Sequence, residues 1–402
     1  MENSPWRIIF ICAGASLFLL LIAYFFILPK KIISIDKIDK ITSLKNAYMS
    51  GYNEGKKSWE FYATEGWSDK YQQITYLKDV SKGNLYEDGE LITSNLSAST
   101  VKVFKRSKIV EAAGLEKKQL SANIAFTSKK NKEKRKFAGI KSNFLKYIPN
   151  DKRTELAGNI NIKEKNIKIS GEKMAIDHNE ETAKIENNVK VIRSDISINC
   201  NILAYDSKQE KLNLFENITA KIKGKQKTKV KADNISFFLD DEKDININGN
   251  IELTQEKKNI VGNKAFYNKK ENNIFFQDGT KAVIEKGGAL LKEETTKKLK
   301  SPDAKNLLKE KTIIEANALN LSTKNGDVRA EGNVFVSQKG KEAKSDYADY
   351  SDLLEIITLT KNVYLKKDTD WIKCEKITVF VKDEIFEATG SIEAEFKLKI
   401  KD

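Results

Sequence analysis

Imidazole and thiol chemistry rests on very few residues in this chain: one histidine, His178, and three cysteines, Cys12, Cys200 and Cys374, among 402 residues. A nucleophilic or metal site needs several such groups converging within bonding reach. His178 follows Ile176 in a polar stretch and has no second imidazole to work with, so it reads as a solvated turn residue. Cys200 and Cys374 share one phase of a repeat but lie several repeats apart, beyond disulfide reach, and read as structural thiols. Cys12 sits between Ile-Phe-Ile and Ala13, which does not resemble a lipoprotein cleavage box. There is no Gly-rich phosphate loop, no metal-spaced carboxylate set and no Gly-x-Ser-x-Gly elbow. The chain reads as a non-enzyme with no cofactor and no metal.

The remaining chemistry is charge and apolar surface. Seventy-one Lys+Arg against 57 Asp+Glu give a formal charge of +14, while a hydrophobic fraction of 40% is too high for a disordered chain. The lysines are scattered through turns and strand exteriors without an aromatic platform or arginine cluster, so no nucleic-acid partner is expected. A compositional bias toward Lys, Asn and Ile is one explanation of the excess, and attraction to anionic lipid headgroups is the alternative.

The apolar residues are ordered by a repeat. Gly158-Asn159-Ile160, Asn187-Asn188-Val189, Glu216-Asn217-Ile218, Gly249-Asn250-Ile251, Asp278-Gly279-Thr280, Gly332-Asn333-Val334, Lys361-Asn362-Val363 and Gly390-Ser391-Ile392 have centres separated by 29, 29, 33, 29, 54, 29 and 29 residues. A fixed period of this kind marks a stacked architecture. Apolar residues fall at odd offsets on both sides of each centre, which places them on one face of one extended strand. Gly in mid-strand marks a bend, so a crease is expected near Gly158, Gly249, Gly332 and Gly390. A second strand ends twelve residues before each centre, as at Tyr147, Ile176, Tyr205 and Tyr267. Polar turns join the two. The fold class is therefore all-β: an elongated antiparallel structure of ~29-residue strand-turn-strand repeats.

The one-face residues Ile160, Ile162, Val189, Val191, Ile251, Leu253, Phe276, Val334, Val336, Val363 and Leu365 are either ordinary sandwich core or the lining of an apolar groove. Around Ile392, Phe396, Leu398 and Ile400 the last strand is a free edge open to a partner strand, unless Lys397, Lys399 and Lys401 act as gatekeepers against pairing.

At the N-terminus, Ile8 to Leu28 is an uncharged run of 21 residues, the length of a membrane-spanning helix, closed by Pro29-Lys30-Lys31 and lacking a cleavage signature. The expected organisation is a tail (1–7), one transmembrane helix (8–28), a stalk (29–58) and a β body (59–402), with a lysine-rich insertion (286–310) at a hairpin. Charge on the two flanks of the span does not decide its orientation.

The anchor, the Trp59-Glu-Phe61-Tyr-Ala63 strand, Ala204-Tyr-Asp206 and Gly332-Asn-Val-Phe-Val336 together resemble the OstA-like family of lipopolysaccharide export. The anchor resembles its LptC branch most closely, and the Gly-Asn-Val repeats are also similar to its LptA branch. The resemblance implies a twisted β-jellyroll with an apolar groove for the acyl chains of lipopolysaccharide or a related glycolipid. It also implies an inner-membrane, single-pass protein with its body in the periplasm. The implied partners are the inner-membrane ABC transporter for lipopolysaccharide export and a periplasmic or outer-membrane jellyroll docked edge to edge. The length, about twice that of an anchored member, departs from the family. The alternative is a membrane-tethered structural or adhesive β-solenoid without lipid cargo.

Overall fold

The computed structural model describes residues 43–397 apart from 116–117, 129–130, 165, 225–226, 240–242, 256–257, 285–296, 298–309 and 381–384, with backbone alone at 126–128 and 131–137. The tail 1–7, the apolar run 8–28, Leu398, Ile400 and most of the insertion 286–310 lie outside the described residues. Among the described residues, no helix is long and apolar enough to cross a membrane.

The chain is one antiparallel meander. It opens with β1 (Ser43–Asn53), β2 (Lys56–Ser68), β3 (Ile74–Glu87) and β4 (Glu90–Phe104), followed by β5 (Val110–Ala113), β6 (Leu120–Ser128), β7 (Asn131–Ser142) and β8 (Phe144–Ile148). The regular repeats begin with β9 (Arg153–Glu164), β10 (Ile167–Asp177), β11 (Thr182–Arg193), β12 (Ile196–Asp206) and β13 (Lys211–Ile222). They continue through β14 (Thr228–Phe238), β15 (Ile245–Gln255), β16 (Lys258–Asn268), β17 (Asn273–Ile284), β18 (Thr312–Ala316) and β19 (Ala318–Ser322). The last are β20 (Val328–Gln338), β21 (Lys341–Ser351), β22 (Ile356–Lys367), β23 (Asp370–Phe380), β24 (Ile385–Thr389) and β25 (Glu393–Glu395). Pairs such as β18 and β19, both laddered to β17 and to β20, are one strand interrupted at a single point, here Asn317.

One boundary differs from the sequence expectation. The segment 43–58, expected within the stalk, is already sheet: β1 pairs with β2 from Ser43↔Trp67 to Asn53↔Lys56. Its polar, Gly-containing sequence hides the alternation because one side of this edge strand faces solvent. The insertion, by contrast, leaves a hairpin where expected, since Ile284 of β17 pairs with Thr312 of β18.

Seven of the eight repeat centres are creases inside a continuous strand, and the eighth, at Gly390, falls between β24 and β25. Gly249 and Asn250 have φ of 74° and 42°, Gly332 and Asn333 have 74° and 49°, and Asn187 and Asn188 have 66° and 52°. Two consecutive left-handed residues fold the strand, and Gly and Asn tolerate that conformation best. The ladders slip by one residue at the same places, between Phe215 and Ile218 of β13 and between Glu331 and Val334 of β20. These are β-bulges, repeated in phase so that the creases stack into one spine.

The creases decide the architecture. In β13, Leu212 and Leu214 before the crease and Ile218, Ala220 and Ile222 after it are all buried. Each strand therefore supplies its first half to one wall and its second half to the other. The sequence left open whether the two strands of a repeat lie in one sheet or in two. They are neighbours in one sheet, and it is each strand that is shared between two walls. One buried cluster runs from Phe61 to Leu321 between the walls, and smaller clusters continue it around Val334 and around Leu359, Val363 and Ile377.

Candidate functional site

The space between the walls is the one feature to which the whole repeat contributes. Its spine is held by a side chain that approaches each crease from the preceding strand. Asn250 Nδ2 donates to Asp233 Oδ2 at 2.7 Å, Asn362 Nδ2 to Asp346 Oδ2 at 2.9 Å, and Asn188 Nδ2 to Glu172 Oε1 at 2.5 Å. Gly is required beside several of these groups, because a Cβ on Gly249 would lie 2.5 Å from Asp233 Oδ2 and one on Gly332 would lie 2.8 Å from Asn317 Nδ2. These partners were missed in the sequence although the period exposes them: the position sixteen before a centre is Asn143, Glu172, Asn201, Asn263, Asn317, Asp346 and Glu375, with Asp233 seventeen before Asn250.

Opposite the spine, the two rows of hairpin turns meet along a seam. Tyr267 at the end of β16 donates its hydroxyl to Asp195 Oδ2 in the β11–β12 turn at 3.3 Å, and Lys269 Nζ donates to Ser194 Oγ at 3.3 Å. The Arg193 guanidinium lies 5.1 Å from the Phe237 ring centroid. Further along, Lys258 Nζ donates to the Gly326 carbonyl at 3.2 Å and sits 5.6 Å from the Tyr350 ring centroid. Each contact joins the far end of one strand to the near end of another, so the seam is closed across the middle repeats. Burial, and then the Asp195 carboxylate, push the Tyr267 phenol up to about 12. It is a hydrogen-bond donor throughout the ordinary pH range.

The interior residues named from the sequence divide into two groups. Ile160, Val189, Val191, Ile251, Leu253, Phe276, Val334 and Val363 are buried, whereas Ile162, Val336 and Leu365 are only half-buried. At the third position after the crease the series runs from half-buried Ile162 through Val191 0%, Ala220 4%, Leu253 0% and Ala282 5% to Val336 and Leu365, again partly exposed. At the fifth position before it, Leu212 and Ile274 are buried, Val328 and Ile357 half-buried, and Phe386 51% exposed. The walls thus close on each other from β11 through β17 and part from β20 onward, so the same inward face becomes an apolar opening at the C-terminal end.

That end also carries the free edge. Among the described residues β24 and β25 pair only with β23, leaving their outer backbone groups without a neighbouring strand. Ile392 and Phe396 are exposed there.

Of the nucleophile-type residues, His178 is apart from this interior opening, whereas Cys374 lies in the C-terminal cluster, cross-strand from Val363 and with Leu365 packed against that cluster. His178 is tied more firmly than a solvated turn residue: its Nε2 lies 2.8 Å from Thr154 Oγ1, and its backbone N–H donates to the Lys152 carbonyl at 3.0 Å. Cys200 is buried, and burial pushes its thiol up to about 11, while burial also raises Cys374. Among the described residues no group of His, Cys, Asp and Glu is placed to hold a metal ion.

Two family models match the chain. The model described as LptA/(LptD N-terminal domain) LPS transport protein matches residues 139–273 and 229–385, and the model described as lipopolysaccharide-assembly, LptC-related, matches residues 8–194. No curated protein matches. Among solved structures, the chain is similar to LptH from Pseudomonas aeruginosa, the LptA homologous periplasmic component of a lipopolysaccharide transport device. The identity is 18%, covering 25% of this chain and 75% of that chain, with a TM-score of 0.23.

Proposed function

We propose, from the premise that the chain belongs to the LptA/LptC family of lipopolysaccharide-transport proteins, that it is an inner-membrane-anchored periplasmic bridge carrying lipopolysaccharide toward the outer membrane. Acyl chains lie between the two walls and enter or leave at the C-terminal opening. The observation that carries this reading is the graded exposure of equivalent inward positions, from Leu253 at 0% to half-buried Val336 and Leu365. A sheet that exposes a continuous apolar strip at one end needs a covering ligand or partner. A transport bridge supplies both.

The order of the family matches supports a combined role. The anchored-type match occupies the N-terminal side and the bridge-type matches the C-terminal side of one chain. A single meander then spans what an anchored protein and a soluble partner would otherwise share. The ABC transporter for lipopolysaccharide export is the partner near the membrane, and a jellyroll extending the β24–β25 edge by strand addition is the partner at the far end. Residues 8–28 are the anchor in this account.

The tight closure of β11 to β17 favours a second reading, a tethered structural β-solenoid with no cargo. The two separate on one experiment. Val336→Asp and Leu365→Asp place charge on the opening at half-buried positions, where circular dichroism is expected to show an unchanged fold. Under the transport reading these variants stop delivery of newly made lipopolysaccharide to the outer membrane. Normal delivery with the folded double variant would overturn it.

A further inference from the structure

The outer face of the sheet beside the β9–β10 and β13–β14 hairpins carries a basic stripe that the interior does not explain. Following the ladder across the strands, one row of outward positions reads Lys163, Lys168, Ile192, Ser197, Lys221, Lys229 and Thr254. Lys163 and Lys168 are direct cross-strand partners, and so are Lys221 and Lys229. Like charges placed opposite each other weaken a sheet. The neighbouring row compensates its cations, with Lys231 on Glu252 at 2.8 Å and Lys281 on Glu315 at 2.9 Å. Among the described residues none of Lys163, Lys168, Lys221 and Lys229 has an ion-pair partner, and all four are exposed. The β13–β14 turn, residues 223–227, is also lengthened to five residues against the two of Ser194–Asp195, and adds Lys223 and Lys227 to the same end.

The position of the stripe matters as much as its charge. Its two lysine pairs flank the β11–β12 turn, where Arg193, Ser194 and Asp195 fasten the seam to Phe237, Lys269 and Tyr267. The Lys223 backbone N–H donates to the Asp195 carbonyl at 2.9 Å, which holds Lys223 against the seam. The seam at this point is fastened by side-chain contacts and not by a strand ladder, so an amphiphile whose chains lie between the walls and part it brings its headgroup out on the side of these ammonium groups. Lysine is a compact point charge suited to phosphate.

We infer that Lys163, Lys168, Lys221 and Lys229, with Lys223 and Lys227, form a subsite for the phosphate groups of the carried glycolipid. This inference rests on the transport reading above and names where the anionic headgroup is held. It also gives part of the +14 charge a task.

The test uses the full chain in detergent and an acylated glucosamine disaccharide bearing two phosphates, with the same lipid stripped of phosphate as its pair. The wild type is expected to bind the phosphorylated form at least about tenfold more tightly, with the preference shrinking as salt rises. The variant Lys163→Gln/Lys168→Gln/Lys221→Gln/Lys229→Gln should lose that preference, keep its affinity for the phosphate-free lipid, and unfold no earlier than the wild type, since like-charge pairs have been removed. Equal binding of the two lipids by the wild type would overturn the subsite while leaving the transport reading intact. Failure of the wild type to bind either lipid would overturn both. If phosphatidylglycerol vesicles lose as much binding in the variant as the phosphorylated disaccharide does, the stripe is a bilayer contact and the headgroup subsite is wrong.

Discussion

Replacing Gly249 by Ala tests whether the creases rest on local backbone geometry. Gly249 has φ of 74°, a conformation that costs an L-residue roughly 1–2 kcal/mol. The new Cβ would also lie 2.5 Å from Asp233 Oδ2, so Asp233 must move and give up its 2.7 Å hydrogen bond from Asn250. A charge-assisted bond at an exposed site contributes on the order of 1–2 kcal/mol, which brings the expected loss to about 2–4 kcal/mol. Gly279 is the control: its φ is 87°, but a Cβ there meets nothing within 4 Å, so Gly279→Ala should cost only the backbone share of about 1–2 kcal/mol. The assay is urea unfolding of the single variants and of Gly249→Ala combined with Asp233→Ala. Comparison at constant denaturant slope guards against uncoupling of the repeats. In the Asp233→Ala background the carboxylate and its hydrogen bond are gone while the Cβ of residue 233 still lies 2.9 Å from the new methyl, so the cost of Gly249→Ala should fall toward the Gly279→Ala value without reaching it, a coupling of about 1 kcal/mol. Equal costs at Gly249 and Gly279, or strict additivity with Asp233→Ala, would refute the reasoning.

Further outcomes are expected elsewhere. Amide hydrogens of β20 to β23 should exchange faster than those of β11 to β17, and Cys374 should react with a thiol reagent before Cys200, because the C-terminal clusters are small and separate from the long core. Hydrogen bonds from Tyr86 and Asn84 and the contact with Lys57 hold the Glu60 carboxyl down at about 2. The stability it contributes is therefore complete above the ordinary carboxylate pKa and is lost as pH falls through about 2. Glu60→Gln should flatten the acid limb of the stability curve in that window, and an unchanged limb would show that these contacts contribute nothing. Phe386→Lys with Ile392→Lys charges the free edge strand and should reduce edge-to-edge association in sedimentation. Association unaltered by both changes would place the docking surface elsewhere.

Much of this architecture is legible in the residues. The odd spacing of apolar side chains about Asn217 or Asn250 identifies the inward face on both sides of the crease, because two left-handed residues bend a strand without changing which face is apolar. The second-strand ends at Tyr147, Ile176 and Tyr267 fall within a residue of the observed ends of β8, β10 and β16. The seam is not legible, since Asp195 and Tyr267 meet only through the twist of several intervening strands. Nor does the sequence separate Val191, fully enclosed, from Val336, half-buried. Their residue type and phase are identical, and their difference comes from how far the walls have parted. β1 escaped notice because its outward side is polar and Asn46, with φ of 49°, interrupts the alternation.

The central claim is that lipid occupies the space between the walls and opens to the outside at the C-terminal repeats. Its most direct measurement is photocrosslinking in cells, with a photoreactive residue placed singly at Val336, Leu365 and outward-facing Phe335. The account predicts adducts with lipopolysaccharide at Val336 and Leu365 and none at Phe335. Adducts confined to Phe335, or absent from all three positions, would contradict it.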